Sequence, residues 1–189
     1  MENNDGQFGL YDSSFEKSSC GVGFLTRKDG KQTHELLLMG HEALCAVPHR
    51  GGMSAEGVGD GAGVCVDLSY RFFCKLTGKQ LQMGAFGVGN FFLPDDVDQH
   101  ARAEALIAEA LEQQGMRVIL LRDVDINNSA IRPAAVRHQQ TIRQWVFITP
   151  EEVDTVTLDQ RIYQSLLQIE AQAFTQPALQ GLYPLSLSR

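Results

Sequence analysis

The residue best suited to covalent chemistry is Cys20, which opens the apolar, glycine-spaced stretch 21–25 and follows two serines. A cysteine at the head of a strand can aim one thiolate at a carbonyl carbon from a rigid position. For any single cysteine the alternative is a buried, unreactive thiol. The pattern therefore predicts a strand over residues 20–26 with a candidate nucleophile at its start.

A second unusual stretch, residues 49–63, reads His-Arg-Gly-Gly-Met-Ser-Ala-Glu-Gly-Val-Gly-Asp-Gly-Ala-Gly. Its many glycines allow the backbone to approach a ligand closely. The alternating glycines resemble a dinucleotide fingerprint, but such a fingerprint follows a strand and opens a helix. Here the glycines follow a predicted helix and lead into the β-rich residues 64–68, which disfavours nucleotide binding. Taken alone, Arg50 is equally compatible with a solvated arginine at a helix end.

A helix is predicted between these two stretches. Lys28-Asp29-Gly30 forms a turn after the first strand, and Thr33 can cap a helix that Pro48 ends. The helix therefore joins the candidate nucleophile to the glycine-rich loop. Its apolar side carries Leu37, Gly40, Leu44 and Val47.

The rest of the chain alternates predicted helices and strands. An acidic helix begins at Asp95-Asp96 and stops at Gly115, and it is expected to cover a sheet as a solvated layer. Its predicted apolar face carries Val97, Ala101, Ala105, Ala108 and Leu111. Further helices are predicted over 70–76 and 158–174, and strands over 85–94, 116–121, 145–150 and 182–189, with an irregular segment at 125–138.

Composition limits the class of protein. The 189 residues fit one domain or part of a larger one, and 43% hydrophobic with 21% charged residues is typical of a globular chain. A net charge of -7 disfavours nucleic acid and anionic membranes as partners. No apolar run approaches a membrane span, and the acidic residues 1–6 are neither a secretory signal nor a transit peptide. We therefore expect a cytoplasmic location.

The cysteines and histidines predict no metal site. Cys20, Cys45, Cys65 and Cys74 contain no C-x-x-C pair, which disfavours zinc ribbons and simple iron–sulfur loops. Cys45 and Cys65 lie among apolar residues and are expected to fill the core. The histidines His41, His100 and His138 are too dispersed to form a ligand set.

Residues 9–24, Gly-Leu-Tyr-Asp-Ser-Ser-Phe-Glu-Lys-Ser-Ser-Cys-Gly-Val-Gly-Phe, resemble the start of the large chains of glutamine-dependent glutamate synthases. In that family the residues before the cysteine are a propeptide, and cleavage makes the cysteine the amino terminus. The resemblance implies a leader over 1–19 and the amino-terminal part of a class II glutamine amidotransferase domain over 20–189. The freed α-amino group, with a pKa of about 7.7 to 8.0, can take the thiol proton near neutral pH.

The glycine-rich loop carries the second part of the resemblance, an His-Arg-Gly motif followed by Gly-Asp-Gly-Ala-Gly. By this resemblance Arg50 holds the α-carboxylate of glutamine, a task that suits a guanidinium fork. The spacing between the two motifs is about one residue shorter than in the family, and Glu56 replaces a usual aspartate. The implied site comprises the nucleophile Cys20 and the substrate-binding residues Arg50, Gly51, Gly59, Asp60 and Gly61. Arg122-Asp123-Val124 also resembles the family, without a catalytic role for Asp123.

The resemblance implies an α+β fold of the four-layer αββα type found in amino-terminal-nucleophile (Ntn) hydrolases, of which this chain is the amino-terminal part. Cys20 attacks the side-chain amide of glutamine, and water then hydrolyses the thioester. Ammonia passes through a tunnel to a synthase module that makes glutamate from 2-oxoglutarate. That module holds flavin mononucleotide (FMN) and an iron–sulfur cluster, so no cofactor is expected in this chain. The implied partners are glutamine, the remainder of the synthase, and a pyridine nucleotide or ferredoxin as electron donor.

The implied active site is incomplete within these residues. The family draws its oxyanion donors from a downstream Asn-Gly motif, and no asparagine of this chain precedes a glycine. An aspartate that grips the substrate amino group is also expected beyond Arg189. We therefore expect a fragment or one half of a split enzyme, inactive alone. The alternatives are a non-catalytic glutamine-binding module, a half that folds when a partner completes its sheets, and the amidotransferase domain of another synthase.

Overall fold

A computed structural model describes residues 7–8, 11–12, 21–46, 61–150 and 152–189 of the chain. Two compact units divide the chain, Met1–Val66 and Asp67–Arg189. Among the described residues, no helix is long and apolar enough to cross a membrane.

The first unit contains a short antiparallel ladder and one helix. Strands β1 (Gln7–Phe8) and β2 (Tyr11–Asp12) pair with each other. Helix α1 spans His34–Cys45, and the Thr33 side chain accepts a hydrogen bond from the Leu36 N–H at 3.3 Å, as its predicted role as cap requires. None of the residues in α1 is buried.

Two strand predictions for this part of the chain are wrong. Neither the described residues of the predicted first strand, 21–26, nor residues 64–68 form a strand. A strand needs a neighbour to accept and donate its backbone hydrogen bonds. Neither stretch pairs with another strand among the described residues. The turn that follows the first stretch is confirmed, since the Gly30 N–H donates to the Arg27 carbonyl at 3.1 Å.

The second unit is built on a four-stranded antiparallel sheet. Its strands are β3 (Phe86–Leu93), β4 (Arg117–Asp123), β5 (Thr141–Ile148) and β6 (Tyr183–Ser188), in the order β4-β5-β3-β6. All three pairings are antiparallel. The four strand predictions for this unit are confirmed, although β5 begins earlier than its apolar run indicates.

Along the chain, the helices of the second unit alternate with the strands of its sheet. They are α2 (Tyr70–Thr77), α3 (Val97–Gln113), the short α4 (Pro133–Val136) and α5 (Thr155–Thr175). The Asp96 and Asp154 side chains cap α3 and α5, and Gly115 follows α3 with a φ of 74°. The predicted helices are confirmed, and the mixture of helices with an antiparallel sheet confirms the α+β class.

The predicted apolar face of α3 is wrong except at Leu111. Val97 and Ala101 are exposed, and the helix turns a different side to the core. Alanines on both sides of this helix make its period weak, and the large side chains decide which face is buried. The buried residues are Ala103, Leu106, Ile107, Ala110 and Leu111.

Two apolar clusters occupy opposite faces of the sheet, because side chains alternate along each strand. The larger cluster includes Phe91 and Trp145, whose rings meet edge to face with centroids 5.2 Å apart, together with residues of α3 and α5. The smaller cluster joins Phe73 of α2 to Val88 and Val146. The expectation that Cys45 and Cys65 fill the core is wrong, since both are exposed.

Each edge strand of the sheet contains one irregularity. In β4, Val118 lies opposite Phe147 while Leu120 lies opposite Val146, so Ile119 is an extra residue. In β6 the pairing with β3 shifts in the same way, which leaves Leu185 as the extra residue. These are β-bulges, which bend an edge strand locally.

Candidate functional site

Most of the predicted site lies outside the described residues. This holds for the candidate nucleophile and for four of the five predicted substrate-binding residues, namely Cys20, Arg50, Gly51, Gly59 and Asp60. The described structure therefore does not bring these side chains together. Their roles remain predictions from the sequence.

Gly61 is the predicted site residue that the structure describes. It is exposed in an irregular segment, and a Cβ atom placed on it would meet no heavy atom within 4 Å. The same is true of Gly63. No close backbone approach in the described part of the chain requires glycine at either position.

The stretch directly after Cys20 exposes apolar side chains. Val22 is 97% exposed and Phe24 is 90% exposed, while Leu25 is less so. In this structure, the residues that follow the candidate nucleophile are thus open to solvent.

In the sequence, helix α1 lies between its N-cap residue, Thr33, and the glycine-rich stretch. Its last turn closes at Ala46, whose N–H donates to the Glu42 carbonyl at 3.0 Å. Near this end the Cys45 sulfur lies 3.9 Å and 3.8 Å from the two ring nitrogens of His41. A sulfur equally far from both nitrogens is not aligned with either, so these residues do not form a nucleophile–base pair.

Sequence reasoning missed a row of polar side chains that crosses the second unit's sheet. The Arg122 Nε donates to the Gln144 Oε1 at 2.9 Å, and the Gln144 Nε2 donates to the Asn90 Oδ1 at 2.9 Å. The Asn90 Nδ2 then donates to the Ser186 Oγ at 2.9 Å. The row spans all four strands. The presence of polar residues within otherwise apolar strands is the sequence feature that could have indicated this row.

A second polar cluster joins α3 to the other face of the sheet. Arg143 of β5 forms ion pairs with Glu104 of α3 and with Asp123 of β4, the latter at 2.8 Å. The imidazole of His100 lies 3.2 Å from both the Glu104 carboxylate and the Pro94 carbonyl oxygen. Asp123 therefore has an ion-pair partner on the neighbouring strand.

Among the described residues, local hydrogen bonds lower the pKa of several carboxyl groups. The Thr157 hydroxyl, followed by its N–H, lowers the pKa of Asp154 at the start of α5. The Arg189 guanidinium lowers the pKa of Asp159. The Asp154 carboxylate belongs to a helix cap and the Asp159 carboxylate to an ion pair.

Two open cavities lie on the second unit. One of about 260 Å³ lies beside β4 and the segment after it, and is lined by residues that include Asp123, Ile126 and Gln140. The other, of about 310 Å³, lies between α5 and β6 beside Tyr163 and Leu187. Gly61, the predicted site residue that the structure describes, is not among the residues that line either cavity. Within the described ranges, no cluster of three or more potential metal ligands occurs.

Comparison with known proteins gives a family match and several relatives. Residues 20–189 match the family model of class-II glutamine amidotransferases. The chain is 33% identical over 168 residues to the glutamate synthase [NADPH] large chain of Bacillus subtilis, and 34% identical over 140 residues to the glutamate synthase [NADH] of Schizosaccharomyces pombe. These alignments cover 86% and 71% of the chain.

A third relative is similar along nearly the whole chain. Ferredoxin-dependent glutamate synthase 1 of Arabidopsis thaliana is 29% identical over 185 residues, which is 95% of this chain. The matched region amounts to only 11% of the Arabidopsis and Bacillus proteins and to 7% of the yeast protein. The chain thus corresponds to a small part of these relatives.

Proposed function

Because the chain belongs to the class II glutamine amidotransferases, a family of Ntn-hydrolase enzymes, we propose that residues 20–189 form the glutaminase part of a glutamate synthase. In this function, glutamine is hydrolysed and its ammonia is used to make glutamate from 2-oxoglutarate. One observation carries the proposal. The family match begins at Cys20, the residue that the sequence motif marks as the nucleophile.

Cys20 performs the covalent step in this proposal. Its thiol proton moves to the α-amino group of the same residue, and the thiolate attacks the side-chain carbonyl carbon of glutamine. The tetrahedral intermediate collapses with loss of ammonia, which takes up the proton, and leaves a thioester. Water then cleaves the thioester, releases glutamate and restores the thiol.

The glycine-rich loop binds the substrate in this proposal. Arg50 pairs with the α-carboxylate of glutamine through two parallel hydrogen bonds, the geometry that a guanidinium group favours. The neighbouring loop residues, Gly51, Gly59, Asp60 and Gly61, line the bound amino acid. The motif and its spacing after Cys20 support these roles.

Removal of residues 1–19 is a further part of the proposal. The base in the covalent step is an α-amino group, which Cys20 possesses only when Ser19 has been cleaved away. The beginning of the family match at Cys20 supports this boundary. A chain that keeps the leader lacks this base.

The other reaction partners belong to the rest of a glutamate synthase. We assign the FMN, the iron–sulfur cluster and the electron donor to that remainder, and glutamine to this chain. Oxyanion donors also come from outside these residues, because no Asn-Gly motif occurs within them. Since the loss of one such donor costs about 2.7 to 4 kcal/mol of barrier, we expect no measurable turnover by these 189 residues alone.

Labelling with a chloroketone analogue of glutamine tests the assignment without requiring turnover. Intact mass spectrometry first establishes whether the purified chain begins at Met1 or at Cys20. On a chain that begins at Cys20 we expect one adduct, located on that residue, and protection by excess glutamine but not by asparagine. Cys20→Ala abolishes the adduct, whereas the matched variant Cys65→Ala keeps it.

The same experiment tests the loop. Arg50→Lys weakens protection by glutamine, while Arg71→Lys, on the exposed side of α2, leaves it unchanged. Labelling of exposed Cys45 or Cys65 in place of Cys20, or protection by asparagine as strong as that by glutamine, contradicts the proposal. Ammonia release above that of Cys20→Ala contradicts only the expected inactivity.

One observation favours a second candidate, a half that a partner completes. The exposed side chains of Val22 and Phe24, together with a helix α1 that buries no residue, leave apolar surface uncovered in the first unit. Hydrogen exchange tests this reading. We expect amides of 21–46 to exchange much faster than those of β3, and equal protection of both stretches contradicts it.

A further inference from the structure

The outer face of helix α5 carries apolar side chains that the core does not use. The inner face buries Leu158, Ile162, Ser165 and Ile169. On the opposite side Val156 is 63% exposed and Phe174 is 93% exposed, and Tyr163 and Leu167 are exposed between them. None of these residues belongs to the predicted glutaminase site.

These side chains form a narrow line along the helix. At 3.6 residues per turn, the four positions fall within about 40° of one another around the helix axis. Exposed Gln160 and Glu170 fill the gaps in the line. We call the six residues Val156, Gln160, Tyr163, Leu167, Glu170 and Phe174 the outer stripe. Their spacing alternates steps of four and three, the pattern of a seam between two paired helices.

The outer stripe is symmetric about Ser165, the buried residue on the other side of the helix. Val156 and Phe174 are equally distant from Ser165 along the chain. The same holds for Gln160 with Glu170, and for Tyr163 with Leu167. When two such helices lie antiparallel, each residue meets its counterpart from the other copy. A twofold interface requires this self-complementarity.

We propose that the outer stripe is a homodimer interface in which α5 pairs antiparallel with α5 of a second copy. Val156 packs on the partner's Phe174, and Tyr163 packs on the partner's Leu167. Between these apolar layers, the Gln160 amide donates to the carboxylate of the partner's Glu170. Each layer occurs twice because of the twofold axis.

Charge selects the antiparallel orientation and this register. A parallel pair in register would set Glu170 against the partner's Glu170, and facing like charges destabilise helix pairs. The antiparallel pair sets each carboxylate against an amide that can donate a hydrogen bond. A partner of unrelated sequence would not require the symmetry of the stripe, which favours a second copy of this chain as the occupant.

The interface is small. Six residues on each side are few compared with the roughly 20 to 30 of a stable standard interface. We therefore expect a reversible equilibrium in which the dimer forms as protein concentration rises.

Sedimentation equilibrium of the 189-residue protein over a range of concentrations tests the proposal. Gln160→Glu places two carboxylates in each polar layer and raises the dimer dissociation constant by about fivefold, while Gln160→Lys pairs with the partner's Glu170 and lowers it by about fivefold. The double variant Gln160→Glu with Glu170→Lys also sets opposite charges in each polar layer, so it reverses the loss caused by Gln160→Glu alone and lowers the dissociation constant below the wild-type value. A misfolded chain aggregates rather than entering a tighter reversible monomer–dimer equilibrium, so Gln160→Lys keeps the test decisive if another variant is unstable.

Gln82→Glu provides the matched control, because it makes the same chemical change on an exposed loop residue and leaves the dissociation constant unchanged. A monomer at every concentration overturns the proposal and leaves the outer stripe to a different partner. A dimer that does not respond to the charge at residue 160 also overturns it, because association then uses another surface.

Discussion

Gln144 on β5 and Asn90 on β3 lie directly opposite each other, and the Gln144 Nε2 donates to the Asn90 Oδ1 at 2.9 Å. The same Gln144 accepts from the Arg122 Nε on β4, so its one amide connects three strands. Gln144 is buried. An amide in this position stabilises the sheet only while both of its hydrogen bonds are made, because unpaired buried polar groups are costly.

We therefore expect Gln144→Ala to lower the free energy of unfolding by about 2 kcal/mol, since it removes two hydrogen bonds and leaves their partners unpaired. Ser186→Ala removes the exposed end of the same row, where water can substitute, and is expected to cost below about 0.5 kcal/mol. Urea denaturation of both variants measures the difference. Equal costs would mean that the row is solvated along its whole length.

Gly87 occupies a position in β3 where no side chain fits. A Cβ atom there would overlap the Phe147 ring and lie 2.8 Å from the Ser188 carbonyl oxygen. We expect Gly87→Ala to cost about 3 kcal/mol, because the neighbouring backbone cannot move aside freely. Gly23→Ala has no heavy atom within 4 Å of its new Cβ and is the matched control. Thermal unfolding decides, and a mild effect at Gly87 would contradict the close approach of β3 and β5.

The ion pair between Arg143 and Glu104 is expected to couple α3 to the sheet. Both side chains are about a quarter exposed, so solvent reduces but does not remove their attraction. A double-mutant cycle with Arg143→Gln and Glu104→Gln is expected to give a coupling of about 1 kcal/mol. The more exposed pair Arg27–Asp29 serves as the control cycle and should show no measurable coupling. Coupling in the control alone would refute the assignment.

The cap of α5 predicts a pH effect of defined sign. The pKa of Asp154 in the folded chain is lowered below 3.8, chiefly by the Thr157 hydroxyl. A lowered pKa means that the carboxylate stabilises the folded state above about pH 4, and that this contribution is lost as the pH falls through the folded pKa. Asp154→Asn does not titrate, so its deficit relative to wild type should shrink on acidification.

Two threonine variants distinguish the pH effect of the Asp154 cap on stability from the effects of other carboxylates. Thr157→Val removes the hydroxyl donor and should reduce the loss of stability on acidification, whereas Thr155→Val, in the same turn, should leave it unchanged. Chemical denaturation at about pH 6 and about pH 3 measures both. Identical pH profiles for wild type and Thr157→Val would show that another group is responsible.

Local signals predicted the elements of the second unit and the start of helix α1 well. The capping residues Thr33 and Asp96 act where the sequence indicated, because an N-cap depends only on its own turn. The buried face of α3 was not predictable in the same way, since alanines gave no contrast between its sides. The strands expected at 20–26 and 64–68 failed because apolar, glycine-rich composition does not supply a pairing partner.

The candidate site illustrates the same limit. The sequence alone identified Cys20 and Arg50 as candidates through their residue types and motifs. The family match agrees with the motif. Arg50 lies 30 positions after Cys20, so an approach of the two side chains depends on tertiary contacts that no local pattern encodes. The role of each as a catalytic or binding residue therefore remains a prediction that the labelling experiment addresses.

The bulge at Ile119 has a consequence for changes in chain length. With strict alternation from Val118, Arg122 would point toward α3 and α5 and Asp123 toward α2, and each would lose its partner. The extra residue shifts the alternation of side chains by one position. Arg122 therefore lies on the same face as Gln144, and Asp123 on the same face as Arg143. Homologous chains that lack a residue at position 119 can thus keep both contacts by pairing regularly, whereas a deletion at Leu121 keeps them only if the bulge is lost and Leu120 changes sides. Length variation in β4 should accordingly be confined to the bulge.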